Sequence, residues 1–386
     1  MKSIAIIPLR KGSKGIPGKN KKKLMGRPLY QWVLSEAVFS NLDEIYIFTD
    51  DTEILEQIES EYNWTKKIKG FQRSKESATD TASTEFCMLE LAGSLNYEFD
   101  IICLLQATSP LTTSEDINKC LTKVEIDEFD SALTVVESKR FLWNENGQSL
   151  NYNYLNRPRR QDFDGFLIEN GAVYAAKKDV FISNQNRLGG NIGIVNMPED
   201  TLTEIDELSD WHIIENLLKN RLAEFKKYPS KIKAIVFDVD GVFTDGTVAV
   251  SDDKELFKRF SLRDGMGLEL LRQGNIIPIV MTSENSAIVE TRMKKLKIEY
   301  LYLGVKDKYS RLEELLKTLN IKRNEIAYLG DDINDLPNLA SVGWSICPND
   351  AVETIYNSVD LKLNSNGGDK AIREAIEFIL KYNQKF

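Results

Sequence analysis

Short apolar runs rich in β-branched residues alternate with longer stretches of helical periodicity through most of this chain, and the alternation closes and restarts once. The first series is Ile4 to Leu9, Ile45 to Thr49, Ile101 to Leu105, Ala132 to Val136 and Ala172 to Ala176, separated by helix-like stretches such as Leu29 to Phe39 and Thr81 to Leu95. It ends on an amphipathic stretch from Asp210 to Tyr228, in which Trp211, Ile214, Leu217, Leu218, Leu222 and Phe225 form an apolar stripe before Pro229-Ser230. The second series runs Ala234 to Asp238, Gly265 to Arg272, Ile276 to Met281, Ala287 to Lys295, Tyr300 to Leu303, Tyr309 to Leu319 and Glu325 to Leu329, as strand, helix, strand and so on. Strands separated by helices pair in parallel and are covered on both faces. The expectation is therefore two doubly wound, mostly parallel α/β domains, 1–228 and 229–386, divided at Pro229.

Length agrees with that division, since 386 residues exceed what one core usually supports. The net charge of −9 argues against a nucleic-acid or anionic-membrane binder, while leaving room for local basic loops that hold anions. The N-terminal apolar run is too short for a secretory signal and reads as a first strand, so the expected location is cytoplasmic and the expected partners include neither membrane nor nucleic acid. Cys87, Cys103, Cys120 and Cys347 are widely spaced and read as reduced core thiols. His212 is the only histidine, so carboxylates and cations must carry the chemistry.

Asp238 and Asp240 stand two residues apart where the first strand of the second series ends, on the same face, with the chain turning at Gly241. Thr282, Lys308 and the run Gly330 to Asp335 each follow a later strand of that series. Phosphoryl transfer needs a nucleophile, an acid for the leaving oxygen, and positive charge around the phosphoryl oxygens. Asp238 suits the nucleophile and Asp240 the acid. Thr282 and Lys308 suit the phosphoryl oxygens, with Asp335 orienting Lys308. Paired carboxylates repel phosphate unless a hard cation of the Mg²⁺ type lies between Asp238 and Asp331, with Asp240 contributing its backbone carbonyl. Four ordered motifs then resemble the haloacid dehalogenase superfamily: Asp238 to Gly246, Arg263 to Gly267, Gly304 to Lys308, and Gly367 to Glu374. The closest likeness is to its capless branch, which contains 3-deoxy-octulosonate 8-phosphate phosphatase. That resemblance implies a tetramer whose neighbouring subunits shape the pocket, with Gly367 to Glu374 near its mouth.

The first series opens with another phosphate device. Arg10 to Lys23 holds seven basic residues, three glycines and no acid, so backbone amides and cations can both approach a polyphosphate. This loop, together with Gln106 to Leu111, resembles the nucleotidyltransferases that activate acidic sugars with CTP. Arg157 to Asp162, Glu169 to Tyr174, Ile205-Asp206 and Asp210-Trp211 resemble the N-acylneuraminate cytidylyltransferase (CMP-sialic acid synthetase) family in particular. The resemblance implies that Arg10, Lys19 and Arg73 meet the CTP phosphates, with Gly12, Ser13 and Asn20 close to the nucleotide. It places Gln106, Arg160, Gln161 and Asn170 toward the acidic sugar, and Asp206 with Glu204 at Mg²⁺. The family usually has aspartate at the position of Glu204. Asp210 also reads as a helix cap.

Taken together, the two halves imply a bifunctional homo-oligomer, dimer or tetramer. One half removes phosphate from an acidic nine-carbon sugar 9-phosphate, and the other couples the free acid to CMP. An eight-carbon 8-phosphate pathway, and a cytidylyltransferase whose second domain only assembles subunits, are the alternatives.

Overall fold

The computed structural model describes residues 1–13, 15–226, 228, 230–252 and 254–386, with the side chain of Lys254 also outside the description. Lys14 of the basic loop and Pro229, the expected boundary, lie outside the described residues. The chain forms two compact units: Met1–Lys22 with Pro28–Ile214, and Lys23–Arg27 with Glu215–Phe386.

The strands, in chain order, are β1 (Ser3–Leu9), β2 (Lys23–Leu24), β3 (Arg27–Pro28), β4 (Glu44–Thr49), β5 (Ile68–Gln72), β6 (Ile101–Leu105), β7 (Ser131–Ser138), β8 (Phe166–Lys177) and β9 (Ile192–Met197). Strands β2 and β3 form a small pair of their own, and the other seven form one sheet ordered β5-β4-β1-β6-β8-β7-β9. Every pairing in that sheet is parallel except the two made by β8. Successive residues of β1 face opposite ways, so Ala5, Ile7 and Leu9 pack with Tyr30, Val33 and Leu34 of helix Leu29–Phe39. Ile4 and Ile6 pack on the other face with Met88 and Leu91 of helix Thr84–Ser94. A strand covered on both sides has no polar face, which is why its sequence is a continuous apolar run.

In the second unit follow β10 (Ala234–Phe237), β11 (Ala249–Ser251), β12 (Lys254–Phe257), β13 (Ile277–Met281), β14 (Tyr300–Tyr302), β15 (Ile326–Leu329), β16 (Trp344–Cys347) and β17 (Leu361–Lys362). Six of these form an all-parallel sheet ordered β14-β13-β10-β15-β16-β17, and β11 pairs antiparallel with β12. Ile235 and Phe237 of the central strand pack toward helices Leu262–Gln273 and Ala371–Asn383. Ala234 and Val236 pack toward helix Lys308–Leu319. The expected mostly parallel, doubly wound architecture is present in both units. The amphipathic stretch expected from Asp210 to Tyr228 is helical over Leu208–Ala223 and tightens to a 3₁₀ turn at Glu224–Lys226. All four cysteines are free and buried. Among the described residues no helix is long and apolar enough to cross a membrane.

Candidate active sites of the two units

In a parallel sheet every strand delivers its carboxyl end to the same edge, so side chains just past β10, β13 and β15 converge. Asp238 follows β10 directly; its N–H donates to the Leu329 carbonyl at 3.0 Å, which continues the β10–β15 ladder by one residue. The Asp238 Oδ1 accepts the Val239 N–H at 2.7 Å and lies 2.9 Å from the Lys308 ammonium. Lys308 opens helix Lys308–Leu319, and its ammonium, with no solvent exposure, also donates to Asp335 Oδ1 at 2.8 Å. The same oxygen accepts the Tyr328 hydroxyl at 2.7 Å, while Asp335 Oδ2 accepts the Asp331 N–H at 3.3 Å.

Three carboxylates, from Asp238, Asp331 and Asp335, bring oxygens within 4.8 Å of one another. Burial, and next the charge of Asp335, push the Asp238 carboxyl up from its ordinary range even though Lys308 pulls it down. Burial and the charges of Asp238 and Asp335 push Asp331 up to about 8. Burial alone would lower the Lys308 ammonium, but its two carboxylate neighbours outweigh it and hold the lysine above its usual range. One cation thus faces two buried acids and the half-buried Asp331, whose Oδ1 is itself buried with no hydrogen-bond partner. A divalent cation fits that deficit of positive charge. Both Asp335 oxygens are already engaged, so Asp238 and Asp331 have the carboxylate oxygens that could hold such an ion, while Asp335 is tied to Lys308.

Asp240 follows on the same turn, and Gly241 allows it: Gly241 has φ +78°, and a Cβ there would stand 2.0 Å from Asp331 Oδ2. Thr282, past β13, is buried, with its N–H on the Tyr302 carbonyl at 3.0 Å and its hydroxyl oxygen accepting the Glu284 N–H at 3.3 Å. The Asn334 amide reaches the Ser283 hydroxyl at 3.1 Å, which ties the loop after β13 to the loop after β15. Gly367 to Glu374 meets the acidic turn through the Gly368 N–H on the Val242 carbonyl at 3.0 Å. Asp264 of the Arg263 to Gly267 motif accepts the Arg373 N–H at 3.0 Å, which makes it a brace between two helices. Tyr328 and Lys258 were not singled out from the sequence. Tyr328 is hidden as one more apolar residue of a strand, and Lys258 lies in a charged stretch with no motif of its own.

In the first unit the basic loop leaves β1 at Arg10, whose Nε donates to the Gly12 carbonyl at 2.6 Å and whose guanidinium pairs with Asp80. The Asn20 amide donates to the Arg10 carbonyl at 3.0 Å and closes the loop. Ser13 is half-buried on it. Lys19 reaches the Ile205 carbonyl at 2.8 Å and Asp206 at 3.3 Å. Glu204 accepts the Thr108 hydroxyl at 3.4 Å, and burial together with the Asp206 charge raises its carboxyl. Lys19, Glu204 and Asp206 are therefore brought together. Asp210 lies within the first turn of helix Leu208–Ala223, not ahead of it as an N-cap, and reaches back to accept the N–H groups of Asp206 and Glu207 at 3.0 and 2.8 Å. Gln106 begins the turn after β6, its carbonyl accepting the Ser109 N–H at 3.1 Å. Arg160 and Gln161 lie on an exposed 3₁₀ turn, Arg160–Asp162, where Lys139, Arg157 and Arg159 join Arg160 around an open basic depression.

Two of the expected binding residues, Arg73 and Asn170, are buried. Arg73 directs its guanidinium to Ser77 and to Cys87 Sγ, and packs over Phe48. Asn170 accepts the Thr134 hydroxyl at 2.7 Å and donates to the Thr201 hydroxyl at 3.1 Å and to Met197 Sδ. Both already hold partners within the unit through Arg73 Nη2 and the Asn170 amide.

A family model described as cytidylyltransferase matches residues 4–225, and one described as haloacid dehalogenase-like hydrolase matches residues 279–376. The N-acylneuraminate cytidylyltransferase B of Danio rerio is 31% identical over 392 residues, covering 99% of this chain and 91% of its own. This chain belongs to the N-acylneuraminate cytidylyltransferase family. The family relationship spans both units, since the alignment runs over 99% of this chain. A second relative, the 3-deoxy-D-manno-octulosonate 8-phosphate phosphatase of Haemophilus influenzae, is 36% identical over 154 residues, 40% of this chain and 86% of its own. A solved 3-deoxy-D-manno-octulosonate 8-phosphate phosphatase from Moraxella catarrhalis, in complex with magnesium ion, phosphate ion and a KDO molecule, is 34% identical. It covers 43% of this chain and 94% of its own, with a TM-score of 0.39. This N-acylneuraminate cytidylyltransferase family member thus joins a cytidylyltransferase region to a haloacid dehalogenase-like hydrolase region.

Proposed function

We propose that the chain performs two consecutive steps on one acidic sugar: residues 229–386 remove the phosphate of a nonulosonate 9-phosphate, and residues 1–228 transfer CMP from CTP to the freed acid. The observation that carries the first step is the fully assembled set Asp238, Lys308, Asp331 and Asp335, with Asp240 on the adjoining turn. A domain kept only for assembly has no need of two buried acids and a third half-buried one gathered at one buried lysine, an arrangement that is expensive to hold without a ligand.

Asp238 attacks phosphorus, giving an aspartyl phosphate, while Asp240 hands a proton to the departing sugar oxygen and later takes one from the attacking water. Lys308, fixed by Asp335, and the hydroxyl of Thr282 hold the phosphoryl oxygens. Asp238 and Asp331 would hold a divalent ion of the Mg²⁺ type, which would offset the charge of the carboxylates and of the phosphate. In the first unit Arg10, Lys19 and the amides around Gly12, Ser13 and Asn20 neutralise the triphosphate, and Gln106, Arg160 and Gln161 face the sugar carboxylate. Glu204 and Asp206 offer hard oxygen donors beside Lys19 for a second divalent ion. Arg73 and Asn170 shape these loops from within. Val250, Leu256 and Phe257, all largely exposed on the β11–β12 pair, support association into a homo-oligomer.

Asp238→Asn is expected to abolish phosphate release from a nonulosonate 9-phosphate while CTP turnover with the free sugar continues. Absence of phosphate release by the unaltered protein from any acidic sugar phosphate would sink the first step. The 36% identity to an octulosonate 8-phosphate phosphatase favours a second reading of the phosphatase substrate. A panel of nine-carbon and eight-carbon acids and their phosphates, assayed for pyrophosphate and phosphate release, decides between them.

A further inference from the structure

Lys258 belongs to none of the motifs above, yet its ammonium makes a direct contact with the proposed acid. It donates to Asp240 Oδ1 at 2.7 Å and lies 3.3 Å from Glu255 Oε1, with its side chain only 3% exposed. Glu255 is anchored in turn: its other carboxylate oxygen accepts the hydroxyl of Ser286, the N-cap of helix Ala287–Lys295. Thr244 donates to the same Asp240 Oδ1 at 3.4 Å. Asp240 Oδ2, by contrast, is buried with no hydrogen-bond partner.

An ammonium is a donor only. A proton on Asp240 Oδ1 would point at the N–H groups of Lys258, so the acidic proton belongs on Oδ2. We propose that Lys258, braced by Glu255 and Ser286, is a positioning residue that pins one oxygen of Asp240 so that the other delivers the proton to the leaving sugar oxygen. The inference rests on the phosphatase reading above and adds to it the group that aims the acid.

The step balances as follows. A carboxylate oxygen of Asp238 forms a bond to phosphorus, the bond from phosphorus to the sugar oxygen breaks, and its electron pair stays on that oxygen. The sugar oxygen takes the Oδ2 proton, and Asp240 is left as a carboxylate beside a cation already in place. Without Lys258 the carboxyl can rotate and share its proton between two oxygens, and aim is lost.

The dependence on the leaving group separates this role from a structural one. Expulsion of an alkoxide needs a proton, whereas p-nitrophenolate departs unaided. In Lys258→Met the rate of phosphate release from the nonulosonate 9-phosphate should fall roughly 100-fold relative to the rate from p-nitrophenyl phosphate, within the usual range for a general acid. The ratio of the two rates cancels the fraction of folded protein. K258R, which keeps the cation, should restore most of the ratio, and K258Q should not. An unchanged ratio in both K258M and K258Q, with both substrates slowed alike, overturns the assignment. If the unaltered protein releases phosphate from neither substrate, the phosphatase reading itself falls and the role of Lys258 falls with it.

Discussion

Replacing Asp331 with asparagine is expected to stabilise the metal-free second unit, although it removes a residue the site uses. The Asp331 carboxyl ordinarily titrates at 3.8 and is pushed up to about 8 by burial and by the charges of Asp238 and Asp335. Between those values the folded chain holds a proton that the unfolded chain has released, so stability falls as pH rises from about 4 and levels off above about 8. A shift of roughly four units at about 1.4 kcal/mol each sets an upper bound near 6 kcal/mol. Water reaching a carboxylate that is not fully buried reduces this to about 2–3 kcal/mol. Asparagine has no such penalty, so the gain should be near zero at pH 4 and complete at pH 8. Hydrogen exchange of the β10 and β15 amides in the presence of a chelator measures it directly, as opening that is roughly 30- to 150-fold rarer in the variant at pH 8. Mg²⁺ at 1,000 times its dissociation constant should reverse the order, because a ligand at that excess adds about 4.1 kcal/mol to the protein that binds it. A variant no more stable than the unaltered chain at pH 8 in chelator would refute the electrostatic account of the site.

Gly241→Ala should slow phosphate release by at least about tenfold and destabilise the second unit by about 2 kcal/mol, because its φ is +78° and the new methyl would meet Asp331; cytidylyl transfer, assayed separately, should persist. For Glu44, burial raises the carboxyl but Lys69, Tyr46 and Lys2 outweigh it and hold it at about 2, against an ordinary 4.5. That depressed group contributes stability above pH 4.5 and loses it as pH falls toward 2. Glu44→Gln should accordingly cost about 1–2 kcal/mol in urea unfolding at pH 7 and little at pH 2.

The parts of the fold legible in the sequence are the ones whose physics is local. Strands β1, β6, β10, β13 and β15 are central and covered on both faces, so each is a run of apolar residues with no competing pattern. The edge strand β5 was not singled out, because Ile68-Lys69-Gly70-Phe71-Gln72 has no strong pattern and is half-exposed. Strand β9 at the other edge alternates exposed and buried residues around a glycine, which dilutes its signal. Asp238 was legible because an acid just past the carboxyl end of a central parallel strand has few structural reasons to be there. Which oxygens the acids of the second unit use was not, since Tyr328 to Asp335 and Lys258 to Asp240 are contacts that only tertiary packing sets. Arg73 and Asn170 show the converse. An arginine or asparagine near a motif reads as a ligand-binding group, and nothing in the sequence reveals that it is buried with some of its polar atoms already bonded to its own unit.

The complete enclosure of the Lys308 ammonium bears on how the two chemistries respond to ionic strength. Dissolved ions shield charges they can surround, with a reach of about 8 Å at physiological salt, and a cation sealed between two acids has no room for them. The basic loop of the first unit is the opposite, since Lys11 is open to solvent. Raising salt should therefore weaken capture of a triphosphate by the first unit long before it loosens the grip of the second on a phosphoryl group. If the two units act in sequence as proposed, a change in salt would tilt the balance between making the free sugar and consuming it, with neither site altered.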